Sequence, residues 1–311
     1  MKLAIIDYPG ALKSAVFGLN ELFMLANRLC AEHLPSVQFE CEIIAVTSTG
    51  DIAANKQRYN AIILPPSIDN IFYPEPSCQL KNWLIKKHQQ GSMLCSACAG
   101  AFILAATGLL DKREATTHWG LVNEFRRLHP EVSLNVSKIL VNDQDMITAG
   151  GMLSWVDLGL ELVAQFATPH IMRQLGKTLV VDTGQREQRY YQQFSPRLTH
   201  GDELILKVQQ KLQTDYAQII KIRALAEFCC LTERTFLRRF FKATGLNPSE
   251  YLQRLRIQKA CGLLESVTDS FAVIASKVGY DDINACRKIF VRIMGLTPRE
   301  FRKRFACNQT G

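Results

Sequence analysis

Residues 225–251 read LAEFCCLTERTFLRRFFKATGLNPSEY, and this stretch decides the fold of the C-terminal third of the chain. Thr232 can cap a helix, because its hydroxyl can accept a hydrogen bond from a free backbone N–H of the first turn. Phe236 and Phe240 are four residues apart, so they lie on one face of the helix that follows. Gly245 can adopt the left-handed conformation that ends a helix. The pattern predicts a helix-turn-helix: short helix, tight turn, second helix and glycine stop.

Residues 274–301, IASKVGYDDINACRKIFVRIMGLTPREF, repeat this pattern about 50 residues later. The second helix of this copy is predicted to begin near Asp282, with Cys286 and Phe290 on its inner face and Gly295 as its stop. In both copies a cap residue, a proline at the first helical position and a glutamate three residues after the cap predict a capping box. These residues are Asn247, Pro248 and Glu250 in the first copy, and Thr297, Pro298 and Glu300 in the second.

The second helix of each copy, called the recognition helix below, presents polar and basic residues opposite its apolar face. Arginine can bind guanine through two hydrogen bonds, and asparagine can bind adenine in the same way. Basic residues later on the helix are better placed for phosphates. Any single arginine is explained equally well by a solvated surface, so the interpretation rests on the repeat. The predicted DNA-contacting residues are Thr232, Arg234, Thr235, Leu237, Arg238 and Lys242 in the first copy, and Ile283, Asn284, Arg287, Lys288 and Arg292 in the second.

The charge of the chain is unevenly distributed. Of the 311 residues, with a net charge of +8, residues 202–311 hold 19 Lys or Arg against 11 Asp or Glu. Residues 1–201 are balanced, with 18 of each kind. A domain that concentrates positive charge attracts polyanions, of which DNA is the commonest. Because a solubility feature would give the same imbalance, charge supports the DNA interpretation without deciding it.

Residues 3–180 alternate short apolar runs with amphipathic stretches. Strands that alternate with helices predict a mostly parallel sheet covered on both faces, so we expect an α/β N-terminal domain and an all-α C-terminal domain. The predicted strands are Leu3–Asp7, Ile43–Thr47, Ala61–Leu64, Ser92–Ser96 and Met146–Ala149. The predicted helices are Val16–Cys30, Gln79–His88, Ala99–Thr107, His118–Leu128, Leu153–Gln165 and Pro169–Val180.

The stretch DTGQREQRYYQQFSPRLTHG is polar and has no clean period, so it is interpreted as an interdomain linker. Tyr190, Tyr191 and Phe194 indicate that part of it packs on a domain. The expected division is 1–181 for the α/β domain, 182–201 for the linker and 202–308 for the helical DNA-binding domain.

The cysteines and the N-terminus indicate a cytoplasmic protein. Too few residues separate Lys2 from Asp7 to form the apolar core of a secretory signal, so the ten scattered cysteines are expected to be reduced thiols. One Cys-x-x-Cys pair occurs, Cys95 and Cys98, without a second pair at zinc spacing, so neither a metal nor a cofactor is expected. Uncharged residues 91–110 are rich in small side chains, which favours a strand, turn and helix over a membrane span.

The same stretch, GSMLCSACAGAFILAATGLL, has the shape of a nucleophile elbow, in which a strand turns sharply into a helix. Ser96 and Gly100 flank Cys98 two positions away on either side, as a tight turn requires. A cysteine at a helix N-terminus would have a stabilised thiolate. A buried small apolar residue fits the same pattern, so both interpretations of Cys98 stay open.

The repeated C-terminal unit resembles the AraC/XylS family of regulators. The match runs through residues 224–267 and 274–305. The resemblance implies seven helices, with two helix-turn-helix units joined by a long helix at about Pro248–Leu264. It also implies that the two recognition helices enter successive major-groove segments on one face of DNA. Cys286 stands where the family has a bulky apolar residue, which predicts looser packing in the second unit.

The N-terminal part resembles the PfpI/ThiJ-like branch of the class I glutamine amidotransferase fold, through residues 8–27, 95–119 and 148–163. With the C-terminal domain it is similar to GlxA-type regulators, in which this fold senses a ligand and forms dimers. Enzymes of this branch place an acid near the cysteine, whereas this chain has Ala15 there, and nothing in the sequence orients His118. The resemblance therefore implies a pocket that binds rather than reacts.

The pocket is expected at the C-terminal ends of the strands, as in other open α/β sheets. Aromatic faces can hold a cationic head group. Some regulators of the class that the chain resembles respond to amines, betaines or amino-acid derivatives, so the resemblance implies an effector of that kind. Core packing explains the two tryptophans equally well. The predicted ligand-binding residues are Cys98, His118, Trp119, Phe17 and Trp155.

Together these observations predict a bacterial transcription regulator, not an enzyme, that responds to a small metabolite. Its expected partners are double-stranded promoter or operator DNA, the effector, RNA polymerase and a second copy of the chain. The alternative is a thiol-dependent enzyme or redox sensor that uses Cys98. A structural or adaptor protein is a third hypothesis, which the basic repeat disfavours.

Overall fold

The computed structural model describes residues 1–52, 56–184 and 187–306, so Cys307 and the end of the predicted DNA-binding domain lie outside the described residues. The chain forms two compact units that divide between Gln188 and Arg189. This division falls inside the segment predicted as a linker.

The first unit is an α/β domain. Its elements are β1 (Lys2–Asp7), α1 (Lys13–His33), β2 (Glu40–Ala45), β3 (Ala61–Leu64), α2 (Cys78–Gln89), β4 (Met93–Ala97), α3 (Gly100–Ala105), β5 (Glu114–Ala115), α4 (Val122–Leu128), β6 (Ser133–Leu134), β7 (Leu140–Asp143), β8 (Met146–Ala149), α5 (Trp155–Phe166) and α6 (Pro169–Leu179). Six strands form one sheet in the order β2-β1-β3-β4-β8-β7. Only the β7–β8 pair of this sheet is antiparallel, which confirms the mostly parallel sheet.

The central strands are mostly apolar and buried, because helices cover both faces of the sheet. All residues of β3 and β8 are buried. Helices α1, α5 and α6 pack on one another, and α2 and α3 pack against β4. Because β1, β3, β4 and β8 run parallel, their carboxyl ends meet at one edge of the sheet, where the pocket is expected.

Two predicted strands, Ala61–Leu64 and Met146–Ala149, match the structure residue for residue. The strand predicted at Ile43–Thr47 lies too far along the chain, because β2 runs from Glu40 to Ala45 and pairs in register with β1. Because Glu40 and Glu42 of this edge strand are exposed, its sequence lacks the continuous apolar run of a buried strand. The polar edge strand β7 was missed for the same reason.

Two helix predictions need correction. The single helix predicted at His118–Leu128 is a 3-10 turn, Trp119–Leu121, followed by α4. The helix after Cys98 begins at Gly100 and ends at Ala105, so it is shorter than predicted. Residues 91–110 form β4, the turn and α3, and no helix of the described chain is both long and apolar enough to cross a bilayer.

The second unit contains seven helices among residues 189–306, as predicted. They are α7 (Glu203–Asp215), α8 (Ile222–Phe228), α9 (Glu233–Thr244), α10 (Pro248–Ser266), α11 (Phe271–Lys277), α12 (Ile283–Met294) and α13 (Pro298–Phe305). Two separate cores form, and α10 joins them. Tyr251 and Leu255 of α10 pack into the first core, whereas Ile257 and Ala260 pack into the second.

Both recognition helices, α9 and α12, begin and end as the repeat predicts. Thr232 and Asp282 each accept a hydrogen bond from a backbone N–H of the first turn. Gly245 and Gly295 have φ values of 74° and 72°, in the left-handed region that favours glycine. The two helices have equal lengths of 12 residues, so the sequence repeat is also a structural repeat.

Only one of the two predicted capping boxes forms. At α13, Glu300 accepts from the Thr297 backbone N–H at 2.8 Å while the Thr297 hydroxyl accepts from the Glu300 N–H at 3.2 Å. At α10, Asn247 makes no side-chain cap hydrogen bond. Glu250 instead accepts from Arg254 at 2.9 Å, because the two side chains are neighbours on the helix surface.

The two glycine stops give a stability prediction. Gly245→Ala would strain only the backbone, since nothing lies within 4 Å of an added Cβ, and we expect a loss of about 1–2 kcal/mol. Gly295→Ala would also place the Cβ 2.2 Å from the Arg189 side chain, so the expected loss rises to about 3 kcal/mol. Chemical denaturation of the full chain measures both.

Gly262→Ala is the matched control, because Gly262 lies inside α10 and an added Cβ meets nothing within 4 Å. Its expected effect is a gain of about 0.5–1 kcal/mol from reduced backbone entropy in the unfolded chain. Equal losses for Gly245→Ala and Gly295→Ala would contradict the packing of Arg189 on the end of α12.

Candidate DNA-binding surface and sensor pocket

The exposed face of α9 is basic. Arg234, Arg238 and Lys242 are exposed, and none of them forms an ion pair with a residue in the described ranges. Leu237 is exposed between them, while Thr235 is half-buried and accepts from the Thr232 hydroxyl. Arg234 and Thr235 lie in the first turn of the helix, where a partial positive charge also favours anions, whereas Lys242 lies in its last turn.

Arg239, which is not among the predicted DNA-contacting residues, forms an ion pair within its own domain. Arg239 donates two hydrogen bonds to the Asp202 carboxylate, at 2.8 and 2.9 Å. Asp202 also caps α7 by accepting from the Ile205 N–H. The arginine lowers the pKa of Asp202, so the pair is ionised at neutral pH and fixes α9 against the start of α7.

The exposed face of α12 is partly engaged with its own domain. Arg287 donates to the Asn284 amide oxygen at 3.1 Å, and Arg292 donates to Gln253 at 2.6 Å. Ile283 and Lys288 are exposed. The second recognition helix therefore offers fewer unengaged polar groups than the first.

Cys98 occupies a sharp turn between β4 and α3. Its φ is +53°, a strained value for a residue with a side chain. Two hydrogen bonds hold this conformation: the Cys98 N–H donates to Ala149 O, and the Thr117 hydroxyl donates to Cys98 O, both at 2.7 Å. Gly100 is required next to the turn, because a Cβ there would lie 2.4 Å from the carbonyl oxygen of Leu64.

The Cys98 thiol is buried, with 2% of the residue exposed, and its Sγ lies 3.6 Å from the Sδ of Met152. Burial raises its pKa to about 12, and a hydrogen bond from the Ala99 backbone only partly opposes that shift. The neutral thiol is therefore the stable form near pH 7, and a neutral thiol is a poor nucleophile. Cys95 lies in the buried interior of β4, as its sequence context predicts, and burial raises its pKa as well.

His118 is engaged by the backbone. Its Nδ1 accepts from the Gly120 N–H at 3.0 Å and so caps the 3-10 turn, and its ring lies 5.1 Å from the Trp119 ring. Burial lowers the pKa of His118. Ala15, at the position where related enzymes have an acid, is fully buried in α1. The three features expected of an activated thiol, namely a lowered pKa, an oriented base and an acid, are not found at these residues.

The predicted pocket residues fall into two groups. Cys98, His118 and Trp119 belong together, because Thr117 bonds to Cys98 and immediately precedes the other two. Trp155 instead packs against α1, where a Cβ on Gly18 would lie 2.5 Å from its ring. Phe17, the preceding residue of α1, is 54% exposed.

Two tyrosines that the sequence analysis missed, Tyr8 and Tyr73, interact electrostatically with Cys98, and Asp69 acts on both of them and Glu124 on Tyr73. Tyr8 is buried, and burial raises its pKa well above the usual value, with Cys98, Tyr73 and Asp69 raising it further. Burial also raises the pKa of Tyr73, and electrostatic interactions with Glu124, Cys98 and Asp69 raise it further. The position of Tyr8 just after β1 was an available signal, since pockets in such sheets form beyond the carboxyl ends of strands.

Among the described residues no group of three His, Cys, Asp or Glu side chains could hold a metal ion. The site consists instead of aromatic rings, a buried thiol and two nearby carboxylates, Asp69 and Glu124.

Comparison with known proteins agrees with both halves of this description. The family model described as a helix-turn-helix domain matches residues 225–304, and that of the DJ-1/PfpI family matches residues 37–165. The chain joins a DJ-1/PfpI domain to an AraC-type helix-turn-helix domain.

Similar proteins include two transcriptional regulators of Pseudomonas aeruginosa. The chain is 27% identical to CdhR over 203 residues, which cover 65% of this chain and 60% of CdhR. It is 22% identical to GbdR over 216 residues, which cover 69% and 59% of the two chains. The matched region thus spans about three fifths of each relative. A crystal structure of an AraC family transcriptional regulator from Pseudomonas putida is similar with a TM-score of 0.45 and 16% identity, covering 57% of this chain and 98% of that one.

The raised pKa of Cys98 in the DJ-1/PfpI domain predicts slow alkylation. Between pH 7 and 10 the rate with iodoacetamide should rise about tenfold per pH unit without a plateau, because the thiolate fraction keeps rising below the pKa of about 12. Peptide-resolved mass spectrometry of the native chain measures the rate at each cysteine. Cys78, which is exposed, serves as the control that reacts fast. A plateau at Cys98 near pH 8 would contradict the burial argument.

Proposed function

We propose that the chain is a DNA-binding transcriptional regulator that responds to a small metabolite bound in its DJ-1/PfpI domain. The observation that carries the proposal is the repeated pair of recognition helices, each capped at its start, stopped by a left-handed glycine and basic on its exposed face. CdhR and GbdR are named as HTH-type transcriptional regulators, which supports the same function.

In this function the two recognition helices read successive major-groove segments of double-stranded promoter or operator DNA, about one helical turn apart. Arg234 and Arg238 near the start of α9 contact base edges, with Thr232, Thr235 and Leu237 beside them. Ile283, Asn284, Arg287 and Lys288 have the corresponding places on α12. Lys242 and Arg292 lie later on their helices and contact phosphates.

The first recognition helix contributes more of the affinity than the second. Its three basic residues are unengaged among the described residues, whereas Arg287 and Arg292 already donate to Asn284 and Gln253. Moving an engaged guanidinium onto DNA breaks one hydrogen bond to form another, which reduces the net gain.

The sensor pocket binds its effector without reacting with it. The neutral, buried Cys98 thiol and the backbone-engaged His118 support a binding role. Asp69 and Glu124 make the surroundings of Tyr8 and Tyr73 electrically negative. Aromatic faces beside carboxylates suit a cationic head group, so the effector is a small amine or amino-acid derivative. Trp119, Phe17 and Trp155 are the further aromatic residues of the proposed site, the last two on α1 and α5.

A thiol-dependent enzyme or redox sensor is the second candidate, and one observation favours it. Cys98 keeps the strained left-handed φ of +53° that nucleophile elbows have. Steady turnover of a substrate that Cys98→Ala abolishes would establish it in place of the binding role.

The remaining partners are a second copy of the chain and RNA polymerase. Phe17 and Met24 lie two turns apart on α1 and are 54% and 56% exposed, which suits a contact between two sensor domains. Polymerase is the partner through which a regulator bound at a promoter would act.

Alanine substitutions test DNA reading and the inequality of the two helices. With a duplex selected from a random library by the wild-type chain, Arg238→Ala should weaken binding by about 1–3 kcal/mol, or about 5–150-fold. Lys288→Ala should weaken it by about threefold or less. Fluorescence anisotropy over a series of salt concentrations measures the affinity and its salt slope.

Arg223→Ala is the matched control for these variants, since Arg223 is exposed on α8 and pairs with Glu227. It should leave DNA affinity unchanged. Equal effects and equal salt slopes for Arg238→Ala and Lys288→Ala would refute the inequality, and no effect of either variant would overturn DNA reading by these helices.

Replacing Glu124 by glutamine tests the effector class. Glu124→Gln keeps the shape of the side chain and removes its charge, so cationic ligands should bind about tenfold more weakly while neutral ligands are unaffected. A thermal-shift screen of the full chain with choline, arginine, agmatine and their uncharged analogues measures this, because binding to the folded state raises the unfolding temperature. Stronger binding of the uncharged analogues by the wild-type chain would contradict the cationic assignment.

A further inference from the structure

Gln188, the last residue of the first unit, is a buried polar residue with every side-chain group engaged. It is 3% exposed. Its Oε1 accepts from the Trp119 N–H at 2.8 Å, and its Nε2 donates to Thr117 O at 3.0 Å and to Val136 O at 3.2 Å. Lys138 O lies 3.4 Å from the same nitrogen. A side chain with so many partners is strongly fixed, because losing one leaves a buried group unsatisfied.

These bonds connect Gln188 to the backbone of the sensor pocket. Thr117 accepts from Gln188 through its carbonyl and donates to Cys98 O through its hydroxyl, at 2.7 Å. Trp119, the next bonded residue, carries one of the predicted pocket rings. Gly150, just after β8, leaves room for the glutamine, since a Cβ there would lie 2.3 Å from its Nε2. Gln188 thus fills a slot formed by the backbone of Thr117, Trp119, Val136 and Gly150, and Thr117 connects that slot to Cys98.

The residues that follow Gln188 pack on the DNA-binding domain. Arg189 lies against Gly295, the glycine that ends α12, and Arg304 lies 5.4 Å over the ring of Tyr190. The Phe194 N–H donates to Gln258 of α10 at 2.8 Å, and the Phe194 ring lies 5.0 Å from that of Tyr251. Consecutive residues of the chain are therefore anchored in the sensor pocket and on the end of the second recognition helix.

We propose that Gln188 is the positioning residue that couples occupancy of the sensor pocket to the DNA-binding domain. The inference rests on the proposed function and adds the route of regulation to it. An effector that displaces the segment around Thr117 and Trp119 removes partners of Gln188, which favours a conformation in which the glutamine has left its slot. When Gln188 leaves its slot, Arg189 and the following residues, which pack against α10, α12 and α13, are no longer held at their N-terminal end.

Coupling of this kind is reciprocal, so DNA binding must change the pocket as much as the effector changes DNA affinity. This allows a test that does not require the effector. The probe is a duplex selected by the wild-type chain, and the reporter is the rate at which methyl methanethiosulfonate modifies Cys98 in the full-length protein. Modification of a buried thiol reports the population of the opened pocket when opening is fast. The measured quantity is the ratio of rates with and without DNA, resolved by peptide mass spectrometry.

In the wild-type chain the ratio should differ from one by at least about fivefold. Gln188→Met keeps the length of the side chain and removes its hydrogen bonds, so its ratio should fall to about one. Gln193→Met is the matched control, because Gln193 is an exposed glutamine five residues later, and it should keep the wild-type ratio. A purely structural role for Gln188 would change both rates together and leave the ratio unaltered.

Gln188→Glu provides a second variant should the methionine variant unfold. It keeps an acceptor for the Trp119 N–H and loses the donor to Thr117 and Val136, and its ratio should also approach one. A wild-type ratio of one, or a wild-type ratio retained in the folded Gln188 variants, would overturn the coupling while leaving DNA binding intact. A wild-type chain that selects no duplex would overturn the proposed function, and the coupling with it.

Discussion

The left-handed backbone at Cys98 is the constraint on which the first domain depends. A non-glycine residue in this conformation costs about 1–3 kcal/mol, so its surroundings must hold it. They do so with two hydrogen bonds, from the Cys98 N–H to Ala149 and from the Thr117 hydroxyl to Cys98 O. Each bond joins β4 to a different segment at the edge where the strands end. The turn therefore fixes β8, the Thr117 segment and α3 relative to one another, and it sets the positions of Cys98 and of the residues that follow Thr117.

The second domain depends on a repeated local device rather than on one strained residue. Each recognition helix has a capped start and a glycine stop, and each packs on its own small core. Because α10 contributes to both cores, the two units form one domain despite their separate interiors. The Arg239–Asp202 pair adds a fixed connection in the first unit, and the corresponding position of the second, Ile289, is apolar. The two recognition helices thus differ in the contacts that hold them as well as in surface charge.

Sequence alone was sufficient where the determining interactions are local. Ala61–Leu64 was predicted without error because a strand buried on both faces is apolar throughout, and α9 because its cap and stop lie within the helix sequence. Gln188 could not be predicted, since its burial depends on carbonyls from segments about 50 and 70 residues away. The prediction of a capping box at Asn247 was wrong because the Glu250 carboxylate has a competing partner, Arg254, one turn along the helix. Polar residues with several possible partners are decided by the fold, not by their own spacing.

The anchoring of Gln188 also defines where the protein is modular. The polar stretch 182–201 looks like a flexible linker, yet Gln188 belongs to the first unit, whereas Arg189 and Phe194 belong to the second. A chimera that joins the first unit to another helix-turn-helix domain by a cut after Val181 would leave an empty, polar slot between Thr117, Val136 and Lys138. A cut at the peptide bond after Gln188 would keep the slot filled. In exchanges of domains between regulators of this architecture, the functional boundary is therefore a single bond inside what looks like a linker.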